Sequence, residues 1–201
     1  MKGAQQFQRI SLGSGVRLFL HVVPTFRRTT IAVFFQNQLA PENVAEIGIL
    51  PQVQRRGNRR WPTALALERE LANLFGAHLG TGVQKRGDRQ ITWFVLNLPG
   101  DRYVGTPILG KGLELLRETV LSPVVENEGL GREYVDQEKQ LQVGRIRSLI
   151  NNKSSWAVFR CIQEMYADEP FRLHELGTEE QVRSLTAEGL LKSHARQLSE
   201  A

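Results

Sequence analysis

Residues 47 to 57 read Ile47-Gly48-Ile49-Leu50-Pro51-Gln52-Val53-Gln54-Arg55-Arg56-Gly57. The first part of this segment is apolar, and its end carries two arginines and a glycine, which favour the carbonyl end of a helix. Upstream, Pro41 and Glu42 suit a first turn, because proline loses no hydrogen bond there and a carboxylate stabilises the positive end of the helix dipole. We therefore predict a buried helix that ends at Gly57.

Two long apolar segments precede this helix, at residues 16–23 and 29–35, and a shorter one lies at residues 7–10. Their β-branched residues predict strands. We expect the two longer strands to form a hairpin and, since nearly every position is apolar, to be buried on two faces or covered by helices. Further strands are predicted at residues 78–84 and 90–98.

Helices dominate the rest of the chain. Thr63 suits the cap of a helix over residues 64–75, and Thr178 begins a capping box with Gln181. Because the strands come first and the helices mostly later, the pattern predicts an α+β fold, a mainly antiparallel sheet of about five or six strands covered by helices. Apolar residues at helical spacing predict the remaining helices, at residues 109–121, 130–151, 154–166 and 186–198.

Composition excludes several classes of protein. The 201 residues suit a single domain, and a net charge of +5, from 26 Lys+Arg against 21 Asp+Glu, is too modest to indicate nucleic-acid binding. The single cysteine, Cys161, excludes an internal disulfide and any multi-cysteine zinc site, and its helical pattern predicts a core thiol. No apolar run is long enough to span a membrane and no secretory segment is present, so we expect a cytoplasmic protein.

Six short segments stand in a fixed order along the chain: Arg55-Arg56-Gly57, Leu74-Phe75-Gly76-Ala77, Glu138-Lys139, Asp168-Glu169-Pro170-Phe171, Gly177-Thr178 and Leu185-Thr186-Ala187-Glu188-Gly189-Leu190. Taken in this order, they resemble the landmarks of the insulinase/pitrilysin-type metallopeptidases, an inverzincin family whose active members carry the zinc motif H-x-x-E-H. The likeness is strongest to the inactive YfmF-like subunits, one half of a two-gene peptidase-like pair. It implies a metallopeptidase-like domain, the N-terminal half of a longer two-domain subunit.

The resemblance also implies that the zinc chemistry is lost. Aligning the basic-glycine corner puts Gly48, Pro51 and Gln52 at the motif's first His, Glu and second His, and Arg145 at the third ligand, seven residues after Glu138. Glycine has no ligating side chain, proline offers no base, a neutral amide is a poor zinc ligand, and a guanidinium repels Zn²⁺. We therefore predict no catalytic residue, no metal and no cofactor.

A basic cluster beside the degenerate motif is the other candidate site. We predict that Arg55, Arg56, Arg59 and Arg60, together with Glu138, contact substrate, since arginines lining a chamber attract the carboxylates of a peptide. A solvated helix end is the plainer interpretation of the same residues. Nucleic-acid binding is disfavoured because no nucleic-acid-binding signature accompanies the cluster.

The resemblance implies a non-catalytic homologue that pairs with an active zinc-peptidase relative and contributes to a peptide-binding chamber. Self-association remains open as the form of assembly, and the substrate is a peptide or protein. A stand-alone binding or scaffold protein in a biosynthetic or protein-modification pathway is the alternative. No membrane partner is expected.

Overall fold

The computed structural model describes residues 7–13 and 15–199. The seven strands in this part of the chain are β1 (Gln8–Gly13), β2 (Val16–Leu20), β3 (Arg28–Gln38), β4 (His78–Arg86), β5 (Arg89–Pro99), β6 (Val125–Glu126) and β7 (Gly129–Leu130). The α-helices are α1 (Val44–Gln54), α2 (Ala64–Asn73), α3 (Asp101–Val104), α4 (Leu109–Leu121), α5 (Arg132–Ser148), α6 (Lys153–Met165), α7 (Glu179–Ser184) and α8 (Ala187–Ser199). Short 3₁₀ turns follow α5 and α6, at Leu149–Asn151 and Pro170–Arg172.

The central sheet has three antiparallel strands in the order β3-β5-β4. On β5, Phe94, Leu96 and Leu98 alternate onto one face and are fully buried, as the two-residue period of a strand requires. Helices α2 and α4 cover that face, with Leu67, Leu71, Leu115 and Leu116 in the same apolar cluster. The α+β class with antiparallel pairing is confirmed, but the strands are divided among three sheets, because β1-β2 and β6-β7 form separate two-stranded ribbons.

Helix α1 lies at the centre of a second apolar cluster. Its residues Ala45, Ile49, Leu50 and Val53 pack with side chains of α5, α7 and α8. Nine of the eleven α1 residues are buried, which is why its sequence shows an apolar run with no polar face. Pro51 lies inside the helix, where it lacks the N–H that would bond back to residue 47, yet the helix continues to Gln54.

The predicted hairpin between residues 16–23 and 29–35 is wrong. Strand β2 pairs with β1, and β3 pairs with β5. Every residue of β1 and β2 is exposed, and on β3 every second residue from Arg28 to Phe34 is exposed, so the expected burial of both long segments on two faces is wrong as well. The ribbon therefore presents Ile10, Leu12, Leu18 and Phe19 to solvent.

Locally encoded features agree with the sequence. Helix α4 has the predicted bounds, Thr63 accepts a hydrogen bond from the N–H of Ala66, and Thr178 and Gln181 form the reciprocal capping box. Cys161 is exposed on α6, so the prediction of a core thiol is wrong. Among the described residues, no helix is both long and apolar enough to cross a membrane.

Candidate functional site

The degenerate motif lies on two helices that pack side by side. Gly48 and Arg56 are on or just beyond α1, and they face Gln142 and Glu138 of α5. Arg145 follows on α5, seven residues after Glu138, so both project from one side of that helix. The fold therefore brings together the α1 and α5 segments that the alignment singled out.

The segment Phe171–Leu176, here called the strap, crosses α1 at Gly48. Three long side chains hold its backbone carbonyls. The Lys85 ammonium donates to the carbonyls of Phe171 at 2.7 Å and Leu173 at 2.9 Å. The Gln90 amide donates to the carbonyl of Glu175 at 2.7 Å, and the Gln142 amide donates to that of Leu176 at 2.9 Å.

The strap fills the space into which a side chain at residue 48 would project. A Cβ placed on Gly48 would lie 2.7 Å from the carbonyl oxygen of Glu175 and 3.3 Å from the Cα of Leu176. Both are backbone atoms, so neither can swing away as a flexible side chain would. Glycine at this position is thus required by the approach of the strap.

Gln52 and Arg55 both turn toward strand β4. The Gln52 amide donates to the carbonyl of Thr81 at 3.3 Å, and the Nε of Arg55 donates to the carbonyl of Leu79 at 2.9 Å. Arg55 also forms an ion pair with Glu68 at 2.5 Å. The second-histidine position is therefore engaged in a hydrogen bond to the sheet.

Glu138 is the charged centre of the site. Its side chain is only 3% exposed, and one carboxylate oxygen, Oε1, lies 2.7 Å from the donating Nε of Arg56 and 2.6 Å from a terminal nitrogen of the same guanidinium. Arg145, at the position of the third ligand, lies 3.5 Å from the other carboxylate oxygen. Two guanidinium groups thus compensate one buried carboxylate, and the cluster carries a net positive charge.

The other predicted substrate-contact residues are more exposed. Arg60 forms an ion pair with Glu114 and stacks on Trp61 at 4.9 Å from the ring centroid. Arg59 is exposed, and its backbone N–H donates to the carbonyl of Ser122. Arg55, Arg56 and Arg60 thus have carboxylate partners within the chain.

The residues present do not fit a zinc ion. Gly48 and Pro51 supply no donor, the Gln52 amide is committed to Thr81, and Arg145 is a cation where a carboxylate ligand would be needed. Across residues 7–13 and 15–199, no three His, Cys, Asp or Glu side chains come together in a metal-like group. At the ligand positions, Gly48 is covered by the strap, Gln52 is bonded to strand β4, and Arg145 belongs to the charge cluster around Glu138.

Two partly buried groups around the site have shifted pKa values. Burial lowers the pKa of Lys85, although Glu175 opposes the shift, and the ammonium is held by the strap carbonyls and the ring of Phe171. Burial also lowers the pKa of His174, whose Nδ1 accepts from the N–H of Leu176. Both groups lie on or under the strap.

Sequence reasoning missed the residues that anchor the strap. Lys85, Gln90 and Gln142 looked like ordinary polar positions. All three side chains are long and end in N–H donors. Gln90 and Gln142 are fully buried and must therefore find acceptors, whereas Lys85 is partly exposed and stands between Gln84 and Arg86 in the sequence. The acceptors are carbonyls more than thirty residues away in the chain, which no local pattern reveals.

The chain has relatives of known annotation and known structure. It is 34% identical over 182 residues to the "Probable inactive metalloprotease YmfF" of Bacillus subtilis, which covers 88% of this chain and 42% of that protein. The chain thus spans less than half the length of this curated relative. No protein-family model matches.

Solved structures reproduce the fold. A conserved protein from Enterococcus faecalis matches 96% of this chain and 46% of its own length, with a TM-score of 0.88 and 23% identity. A peptidase M16 inactive domain from Pseudomonas fluorescens matches 94% of this chain and 43% of its own, with a TM-score of 0.75 and 16% identity. Pitrilysin matches 97% of this chain and 19% of its own, with a TM-score of 0.68 and 15% identity.

Proposed function

We propose, from the premise that this chain is an inactive homologue of the insulinase/pitrilysin-type metallopeptidases, that it serves as the silent wall of a peptide chamber. The premise rests on the relative from Bacillus subtilis and on the family fold. In the proposed assembly an active zinc-bearing relative hydrolyses the peptide. This chain supplies surface and substrate contacts.

The observation that carries the proposal is the way in which the chain fills its own ligand positions. The strap covers Gly48, Gln52 bonds to the sheet, and Arg145 joins Arg56 around the buried Glu138. Helix α1 is therefore kept as a packing element without its chemistry. A fold retained in this form supports a role in assembly.

Exposed apolar surface supports pairing. Phe19 on β2 is 55% exposed and Phe34 on β3 is 61% exposed, and further apolar side chains of the β1-β2 ribbon lie in solvent. Large exposed apolar surface is typical of protein–protein contact. We propose that the domain is one half of a longer subunit, as its share of the relatives' length suggests, and that the ribbon contributes to the contacts it makes there or with the zinc-bearing relative.

Charge supports a contact with peptide. Arg59 is exposed, and Arg145 is 42% exposed beside a carboxylate that Arg56 already neutralises. A partly exposed guanidinium next to an already neutralised carboxylate can donate to a second carboxylate, such as a peptide C-terminus, in a forked pair. Arg59 and Arg145 are therefore our first candidates for substrate contact.

The test compares the purified chain alone with the chain co-expressed beside a relative that carries an intact H-x-x-E-H motif. Metal content and cleavage of a quenched fluorescent peptide are measured for both. We expect substoichiometric zinc and no cleavage for the chain alone, and co-purification with chelator-sensitive cleavage for the pair. Stoichiometric zinc or chelator-sensitive cleavage by the chain alone would refute the proposal.

Two controls sharpen the result. A partner whose motif glutamate is replaced by glutamine should pair without cleaving. Phe19→Asp should weaken co-purification, whereas Arg17→Ser, a polar change two residues away on the same face of β2, should not. A monomer that ignores the zinc-bearing relative and binds an unrelated protein would favour the stand-alone scaffold instead.

A further inference from the structure

Strand β4 is an edge of the central sheet. It pairs with β5 on one side only, and α1 packs beside it. An edge strand presents a row of backbone N–H and C=O groups, and such a row is a template for an extended peptide, which can add as a further strand. Whether the β4 edge is open decides how this domain can contact a peptide.

The α1 side of β4 is occupied by side chains. Leu79 and Thr81 are two residues apart, so their carbonyls point in the same direction, and each accepts a hydrogen bond from the α1 end: Arg55 at 2.9 Å and Gln52 at 3.3 Å. Because Leu79 and Thr81 bond to α1 side chains, their carbonyls face away from β5. The acceptors that a peptide strand would need are therefore already used.

Arg55 is held firmly in this role. Its guanidinium bridges the Leu79 carbonyl and the Glu68 carboxylate, and its side chain is only 20% exposed. Displacing Arg55 would leave the Leu79 carbonyl without its donor and would also break the ion pair with Glu68. A peptide would have to compensate for both lost interactions before its binding became favourable.

We propose that Gln52 and Arg55 close the Leu79–Thr81 part of the β4 edge to extended peptides. The domain then contacts a chamber peptide through side chains alone and does not hold the peptide backbone. This consequence for the chamber rests on the proposed function, whereas the closure itself does not. Gln52, the residue at the second-histidine position, thereby has a specific role, which is to keep an extended peptide from pairing with β4 in this inactive domain.

The test uses the single chain and a short fluorescein-labelled peptide of alternating threonine and valine. Binding is followed by fluorescence anisotropy for the wild type, for Gln52→Ala/Arg55→Ala, and for Arg160→Ala, a matched loss of a guanidinium whose partner is Glu164 on α6. We expect no saturable binding by the wild type or Arg160→Ala. The double variant should bind at least about tenfold more tightly, the equivalent of one net backbone hydrogen bond.

Two further measurements identify the mode of binding. The same peptide with N-methyl groups on alternate backbone nitrogens keeps its side chains but cannot add as a strand, so it should not bind the double variant. Hydrogen exchange should show new protection at Leu79–Thr81 only with the unmethylated peptide. Should the double variant fail to fold, Gln52→Ala serves in its place, with a smaller gain in the same direction.

Two outcomes would overturn the proposal. One is peptide-dependent protection of Leu79–Thr81 in the wild type, which would mean that the edge is open. The other is a folded double variant, judged by its circular dichroism and melting temperature, that gains no affinity. Since no partner protein is present, either failure leaves the pairing test unaffected, and failure of the pairing test leaves this result standing.

Discussion

Replacing Gly48 with alanine tests whether the strap closes the site. The new Cβ would lie 2.7 Å from the carbonyl oxygen of Glu175, short of an ordinary contact of 3.4 Å by about 0.7 Å. The oxygen is also tied to Gln90 at 2.7 Å, so moving it weakens a buried hydrogen bond. Overpacking of this kind costs about 1–3 kcal/mol, and a weakened bond about 1 kcal/mol.

Alanine also has a favourable effect that opposes this cost. In the interior of a helix it is better than glycine by about 0.5–1 kcal/mol. We therefore expect Gly48→Ala to lower the free energy of unfolding by about 1–3.5 kcal/mol. Gly48→His, which restores a zinc-ligand side chain at this position, should destabilise more, because the imidazole needs space that the strap occupies.

Gly144 provides the matched control. It lies inside α5, and nothing comes within 4 Å of a Cβ built there. Gly144→Ala should raise the free energy of unfolding by about 0.5–1 kcal/mol through propensity alone. Urea denaturation measures both variants. Equal stabilisation by the two alanines would mean that the strap yields without cost, and the assignment of Gly48 to a closed contact would be wrong.

Three more predictions concern charge. Arg56→Met should destabilise by about 3 kcal/mol in urea denaturation because it leaves the buried Glu138 without its main partner, and adding Glu138→Leu should restore most of the loss. Burial lowers the pKa of His194 below its ordinary 6.5, so the unfolded state binds the proton more readily and the free energy of unfolding should fall as pH drops below 6.5. His194→Gln keeps a donor for the carbonyl of Val120, and it should make the melting temperature less dependent on pH in this range. Two arginine partners lower the pKa of Glu179 from its ordinary 4.5 to about 2, so its contribution to stability should be complete above pH 4.5, decline as pH falls below that value and be lost near pH 2. Glu179→Gln should abolish that acid dependence of the melting temperature.

The parts of the fold that the sequence predicts are those encoded by near neighbours. Helix α4 and the capping box at Thr178 depend on spacing within one or two turns, and both appear with the predicted bounds. The pairing of β2 depends on partners that no local pattern specifies. Its apolar sequence would look the same whether the strand were buried in the core or exposed at the surface. For that reason the hairpin with β3 was predicted wrongly.

The candidate site divides in the same way. That Gly48 and Arg145 cannot bind zinc follows from residue chemistry alone. What replaces the metal does not, because the strap approaches from residues 171–176 and its anchors come from β4, β5 and α5. Phe75 illustrates the same limit. It is the last residue of the helix predicted over residues 64–75, but it lies beyond the end of α2, at a φ of 56°, and is 53% exposed.

The Glu138 cluster also makes the folding of the domain independent of a metal ion. A domain built around a metal site reaches its full stability only after the ion binds, so its stability depends on metal supply and is lowered by chelators. Here the buried carboxylate meets two guanidinium groups that are part of the same chain. The domain can therefore fold as soon as it has been synthesised, in a cell starved of zinc as readily as in one with ample zinc.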